Sequence, residues 1–300
     1  MKEKWLKWAG LEGVVRVASN ILQKTVQDLL RESGSVLYLT ALIGLAQSVL
    51  GFMVAKSTKE KLWMSWRGNV GSVLFGALAL LAIVCTFLVF ANDGPLSGHV
   101  FVVSLSIIPG AVVDRLFFGY RFRSSQILGI GIAVLAGYCV LLPSVSKMGG
   151  LPAWLGFSVL TATLMTLNQG ISQAIQVYTT PMAKNVWGGL TIFLGASTLF
   201  VVSGSDMGSV IAYKRLTAAS LEIGVLSVFL WTFNLWAYQG GAYIALKKLV
   251  VNGTLIVTGM LVGVLGFGEQ VTPVQMVGFA LYVLAFVLVD REIWTFLLAR

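Results

Sequence analysis

Apolar residues run in blocks of about twenty along this chain, and the polar positions fall mostly between the blocks. About 20 apolar residues carry a helix across a hydrocarbon core. Nine windows meet that length: 36–56, 68–92, 97–118, 125–143, 153–176, 187–205, 221–245, 249–268 and 273–291. Their apolar positions do not alternate with period two, which excludes a membrane β-barrel. Short connections such as Asn92-Asp93-Gly94-Pro95 and Gly149-Gly150-Leu151-Pro152 punctuate them.

Residues 8–30 follow another pattern. At 100° per residue, Glu12, Arg16, Asn20, Gln23, Lys24, Gln27 and Asp28 share an arc of about 160°, and apolar residues fill most of the other side. Such a helix can lie flat on a membrane surface or cross it with its polar face turned to an internal cavity.

The sequence also repeats. Gly119-(x)6-Gln126-x-x-Gly129 recurs as Gly268-(x)6-Gln275-x-x-Gly278, 149 residues later. The same shift lays 153–176 on 4–27 and the last four windows on the first four. Residues 1–143 and 153–300 then form two five-helix units joined by a linker, 144–152. An odd number of crossings per unit makes the second copy inverted in the membrane, the architecture of secondary transporters.

Charge favours the crossing arrangement. Of 21 Lys+Arg, a ten-span chain puts 15 on the side of the two termini, among them Lys184, Lys247 and Lys248, and 4 on the other. Laying the first helix on the outer surface gives 12 against 9. The positive-inside rule prefers ten spans with both termini in the cytoplasm of a cell (inner) membrane protein.

Composition narrows the function. Apolar residues are 57% and charged residues 11%, too few polar groups to cover a soluble surface. The net charge of +9 is scattered in small groups without a basic stripe, which argues against nucleic acid. Cys85 and Cys139 sit singly in apolar runs, and His99 is the sole histidine, so a zinc, haem or triad site is not expected. No Walker-type phosphate loop is present, and no cofactor is expected.

The repeat motifs resemble the EamA-like half of the drug/metabolite transporter superfamily. The second half reads GFGEQVTPVQMVGFALYVLAFVLV, with Gly268, Glu269, Gln275 and Gly278 in the family's places. The first reads IPGAVVDRLFFGYRFRSSQILGIGIAVLAGYCVLLP, with Tyr120 where an acidic residue is usual, and Ala18 to Lys24 resembles the opening helix. The resemblance implies a ten-helix carrier of small organic solutes, often an exporter, with the Gly-Glu turns structural and the cavity lined mainly by the first, third, fourth, sixth, eighth and ninth helices.

Several residues are candidates for solute contact. Arg16, Asn20, Gln23 and Lys24 lie on the first helix. Glu12–Arg16 and Lys24–Asp28 have the spacing of internal ion pairs, and Arg16 or Lys24 could instead attract an anionic group of the solute. Asn168, Gln169 and Gln173 form an amide face able to donate and accept, or to stitch helices together. Trp231, Asn234 and Tyr238 share one face, followed by Gln239, and read as an aromatic wall or as core. Pro109 should kink its helix and free a carbonyl. Asp114-Arg115, five residues on, reads as a local charge pair or gate element, and with Pro109 it forms the candidate gating or coupling group.

These readings converge on an all-α polytopic membrane protein of ten helices in two inverted five-helix repeats. The expected function is secondary transport of a small organic metabolite, amino-acid-like or related, outward and by alternating access. The alternatives are a carrier of anionic, phosphorylated or sugar-linked solutes, and a non-transporting assembly subunit. No enzyme activity is expected. The expected partners are the solute and the bilayer, with a homodimer left open as the assembly.

Overall fold

A computed structural model describes residues 4–26, 36–146, 152–204, 214–268 and 270–289. Regular structure among them is helical: α1 (Lys4–Thr25), α2 (Val36–Thr58), α3 (Trp66–Ala91), α4 (Leu96–Ser104), α5 (Ile107–Phe117), α6 (Ser124–Ser146), α7 (Ala153–Ile175), α8 (Pro181–Val202), α9 (Lys214–Gln239), α10 (Ile244–Phe267) and α11 (Pro273–Val289). Among the described residues, α2, α3, the stretch Gly98–Phe117 across α4 and α5, α8 and α9 are long and apolar enough to cross a membrane. Shorter apolar stretches, Ser124–Cys139 and Pro273–Ala285, lie in α6 and α11. In α7, Asn168, Gln169, Ser172 and Gln173 dilute the apolar run.

Helix boundaries have local causes. Ser65 caps α3, its hydroxyl accepting from Gly68 N. Thr180 does the same for α8 through Ala183 N, with Pro181 just inside the helix. Gly119 and Gly268 both adopt left-handed backbone, φ 65° and 64°, at the ends of α5 and α10. Gln126 Oε1 then accepts from Arg123 N at 2.9 Å, and Gln275 Oε1 from Thr272 N at 2.8 Å. Each Gln sits at the third helical position and reaches back to the residue before the helix, half of a capping box. The repeated Gly…Gln motif therefore builds the same turn twice. Glu269 and Asp28 lie outside the described residues. Tyr120, the departure from the acidic position, meets Tyr243 in a tilted ring pair with centroids 4.1 Å apart.

The second-half windows need correction. The window 221–245 ran through Gly240-Gly241, but α9 stops there and Gly241 takes φ 92°. Helices α8 and α10 begin earlier than their windows because a hydropathy scan stops at lysine. Lys184, Lys247 and Lys248 are thus helix residues buried in the bundle, not loop charges. Twelve of the fifteen basic residues assigned to the terminal side remain as candidates for that role.

Packing pairs the helices. α3 packs on α7 and α8, and α9 packs on α1 and α2. α2 lies along α8, and α6 along α11. α1 packs lengthwise against α9 and α10, as a member of the bundle. Glycines let backbones approach closely: a Cβ on Gly44 would lie 2.7 Å from the carbonyl oxygen of Gly189. Large apolar side chains such as Phe52, Leu74, Leu116, Phe117 and Leu265 point outward, while Glu12, Asp114, Lys184, Lys247 and Lys248 are buried. A water-facing surface favours the reverse.

Candidate functional site

Glu12, Arg16, Asn20 and Gln23 recur every three or four residues along α1, which puts them on one face turned into the bundle. Opposite stand Asn168 and Gln169 of α7 and Trp231, Asn234 and Tyr238 of α9, all buried. Lys247 and Lys248 enter from the first turns of α10, and Lys184 from the first turn of α8.

One carboxylate organises the centre. Glu12 Oε1 accepts from Arg16 Nη2 at 3.0 Å, the pairing that the four-residue spacing predicts. Its other oxygen lies 2.7 Å from Lys247 Nζ. Asn234 Nδ2 donates to Glu12 Oε1 at 3.3 Å and to Gln169 Oε1 at 2.8 Å. Gln169 Oε1 also accepts from Tyr238 Oη and Lys247 Nζ, each at 2.6 Å. Lys184 Nζ donates at 2.8 Å to Asn234 Oδ1 and to Ser172 Oγ, and sits 3.8 Å from the centroid of the Phe75 ring. Buried ions are tolerated only when paired or hydrogen-bonded, and this network supplies both. It joins α1, α7, α8, α9 and α10 through side chains far apart in sequence.

A cavity of about 80 Å³ adjoins the network, lined from α1, α3, α7 and α9. At roughly 10–15 Å³ per water on this measure, it has room for several waters. Arg16, Asn20, Gln23, Asn168, Gln169, Trp231 and Asn234 line it. Seven of the residues singled out for solute contact are therefore brought together. Phe75 meets the Trp231 ring edge-on at 4.5 Å, forming the aromatic part of the wall. Gly188 leaves room for that indole, since a Cβ there would lie 2.4 Å from the ring. Arg16 Nη1 points to Met165 Sδ at 3.5 Å, and these two residues are separated by the 149 positions of the repeat. A smaller void of about 10 Å³, enough for about one water, shares Arg16, Met165 and Gln169 with the main cavity and reaches Glu12, Lys247 and Lys248.

The remaining candidates lie elsewhere. Tyr238 does not line the cavity but joins the network, its hydroxyl donating to Gln169 Oε1 and its ring centroid lying 4.4 Å from Lys247 Nζ. Gln173 is buried on α7 away from both cavities. Gln239 is exposed and donates to Gln176 O. Lys24 reaches Gly94 O at 3.4 Å and stands over the rings of Phe90 and Phe267, outside the cavity.

The gating candidates separate into two kinds of work. Asp114 does not face Arg115, which is exposed. Its carboxylate accepts from Ile244 N at 3.0 Å and Ala245 N at 2.7 Å, capping α10 from 130 residues away. Orphan amides at a helix start favour such an anion. Asp114 and Arg115 are therefore not a local charge pair. Around Pro109 the helix breaks between Ser104 and Ile107, as a residue without an N–H should cause. α10 reaches the break: Ser104 O accepts from Asn252 Nδ2 at 3.0 Å, and Ser106 O, which also accepts from Gly110 N, accepts from Lys248 Nζ at 3.1 Å. Lys248 also donates to Thr166 Oγ1 at 2.6 Å.

Sequence reasoning missed Lys184, Lys247 and Lys248 because lysine beside a Gly/Pro turn reads as a loop charge. The available signal was that each falls within the first turn or so after a helix start: Pro181 for Lys184, and the Gly240-Gly241 break for the pair.

No family model matches this sequence, and no curated protein does. A solved protein crystal structure shares the fold, with a TM-score of 0.64 at 13% identity over 94% of this chain and 96% of the other. At that identity the likeness speaks for the fold alone.

Proposed function

We propose that the protein is a secondary transporter that moves a small organic metabolite across a cell membrane by alternating access, as ten spans in two inverted five-helix units with both termini cytoplasmic. The observation that carries this reading is the polar cavity at the meeting of α1, α3, α7 and α9, inside a bundle whose outward surface is apolar. Polar helix faces at that depth are costly unless they serve a path for solute or ions.

The two-fold organisation supports it. Counting α4 and α5 as one broken span makes five helices in each half. α11 starts 149 residues after α6, at Pro273 and Ser124. α10 starts 148 after α4, at Ile244 and Leu96. Exchanging the halves turns the α3–α7 contact into α9–α1, and α3–α8 into α9–α2. The cavity is then lined by two exchanged pairs, α1 with α7 and α3 with α9. A bundle of that kind can rock one unit against the other around a fixed site. The resemblance to EamA-like drug/metabolite transporters points the same way and favours export.

Counterflow tests the reading. Purified protein in liposomes preloaded with an unlabelled amino acid or sugar phosphate should accumulate the matching labelled solute. Folded, correctly inserted protein that carries none of a broad metabolite panel would overturn transport and favour an assembly subunit.

A further inference from the structure

Arg16 uses only half of its fork well. Nη2 is engaged by Glu12, but Nη1 faces a thioether, Met165 Sδ, at 3.5 Å. Thioether sulfur is a weak acceptor, whereas a guanidinium edge matches a two-oxygen anion. That edge borders the main cavity.

Charge around it is unbalanced. Arg16 and Lys247 share the single carboxylate of Glu12, and Lys184 rests on neutral oxygens of Asn234 and Ser172. Lys248 likewise rests on Ser106 O and Thr166 Oγ1. Asp114, the other buried carboxylate among the described residues, sits on backbone amides of α10 and forms no direct ion pair with these cations. Positive charge beside low-dielectric walls attracts an anion into the adjoining space. About 80 Å³ suits a carboxylate with a short chain and is small for a nucleotide.

We infer that the floor of this cavity binds the acidic group of the solute, a carboxylate-sized oxyanion held by the Arg16 guanidinium, with Lys184 and Lys247 supplying the positive field behind it. This rests on the transport reading for its biological role, but the binding site can be tested without it.

The test places a thiol opposite Arg16. In full-length protein with Cys85→Ser and Cys139→Ser, Met165→Cys is labelled with two methanethiosulfonates, one bearing a sulfonate and one a trimethylammonium. With each rate divided by that reagent's rate with free 2-mercaptoethanol, the sulfonate reagent should come out at least about tenfold faster, as one unscreened favourable charge contact would give. Propionate should slow the labelling several-fold, and propionamide should not. Adding Arg16→Gln should erase the preference. If that variant does not fold, the reagent ratio and the propionate protection decide with Arg16 intact. Equal normalised rates, a faster cation after normalisation, equal protection by propionamide, or no labelling by either reagent would each overturn the inference. Counterflow separates the two readings. Anion-selective labelling without flux removes transport and keeps the site; flux without anion selectivity does the opposite.

Discussion

Breaking the ion pair between Glu12 and Lys247 should destabilise the bundle more than any surface change, and in a non-additive way. The oxygen and nitrogen are 2.7 Å apart, and both side chains are buried. At an effective dielectric of about 20, that separation corresponds to about 6 kcal/mol of gross attraction. Desolvation offsets much of it, so the pair itself adds little net. Removing one partner is another matter, since it strands the other, at a cost of about 3–5 kcal/mol. Lys247→Met should fall near the lower end, because Glu12 keeps Arg16 at 3.0 Å and Asn234 at 3.3 Å. Glu12→Gln should fall near the upper end, because it leaves both Arg16 and Lys247 without a carboxylate. At about 2 °C per kcal/mol for a chain of this size, each single change should lower the melting temperature by roughly 6–10 °C. The double variant should lose less than the sum, with a coupling of about 2–3 kcal/mol. Tryptophan fluorescence during a thermal ramp in detergent reads this directly, using the nine native tryptophans. Single variants within 2 °C of the parent, or a strictly additive double, would refute the idea that Glu12 ties α1 to α10.

Asp114→Ala should cost about 2–4 kcal/mol, because it strands two buried amides at the start of α10; Asp114→Asn, which keeps one acceptor oxygen, should recover part of the loss in the same melt. Gly188→Val should drive the Trp231 indole toward the cavity, lowering initial counterflow rates more than tenfold and shifting tryptophan emission; unchanged rates would mean that Trp231 does not border the solute path. Gln126→Ala and Gln275→Ala should each cost about 1 kcal/mol in thermal stability without altering solute affinity; a selective loss of affinity would show that the repeat motif does more than cap α6 and α11.

The helices, their approximate limits and the duplicated Gly…Gln turns were legible from residue order, because each depends on neighbours within a turn or two. Apolar run length sets a helix, a glycine sets the left-handed turn, and a glutamine three positions into a helix caps it. The face of α1 that carries Glu12, Arg16, Asn20 and Gln23 was legible for the same reason, as was the Glu12–Arg16 pair. What these groups meet was not. Lys184, Lys247 and Lys248 look like loop charges because hydropathy measures transfer from water to lipid and is blind to a polar partner waiting inside the protein. Asp114 looks paired with Arg115 because they are adjacent, yet its carboxylate points across the bundle to amides 130 residues on. Helical phase follows from 3.6 residues per turn and needs no fold. Which helix supplies the opposite half of a contact is decided only when α1, α7, α9 and α10 pack, and that decision turned scattered charges into one buried network beside a cavity.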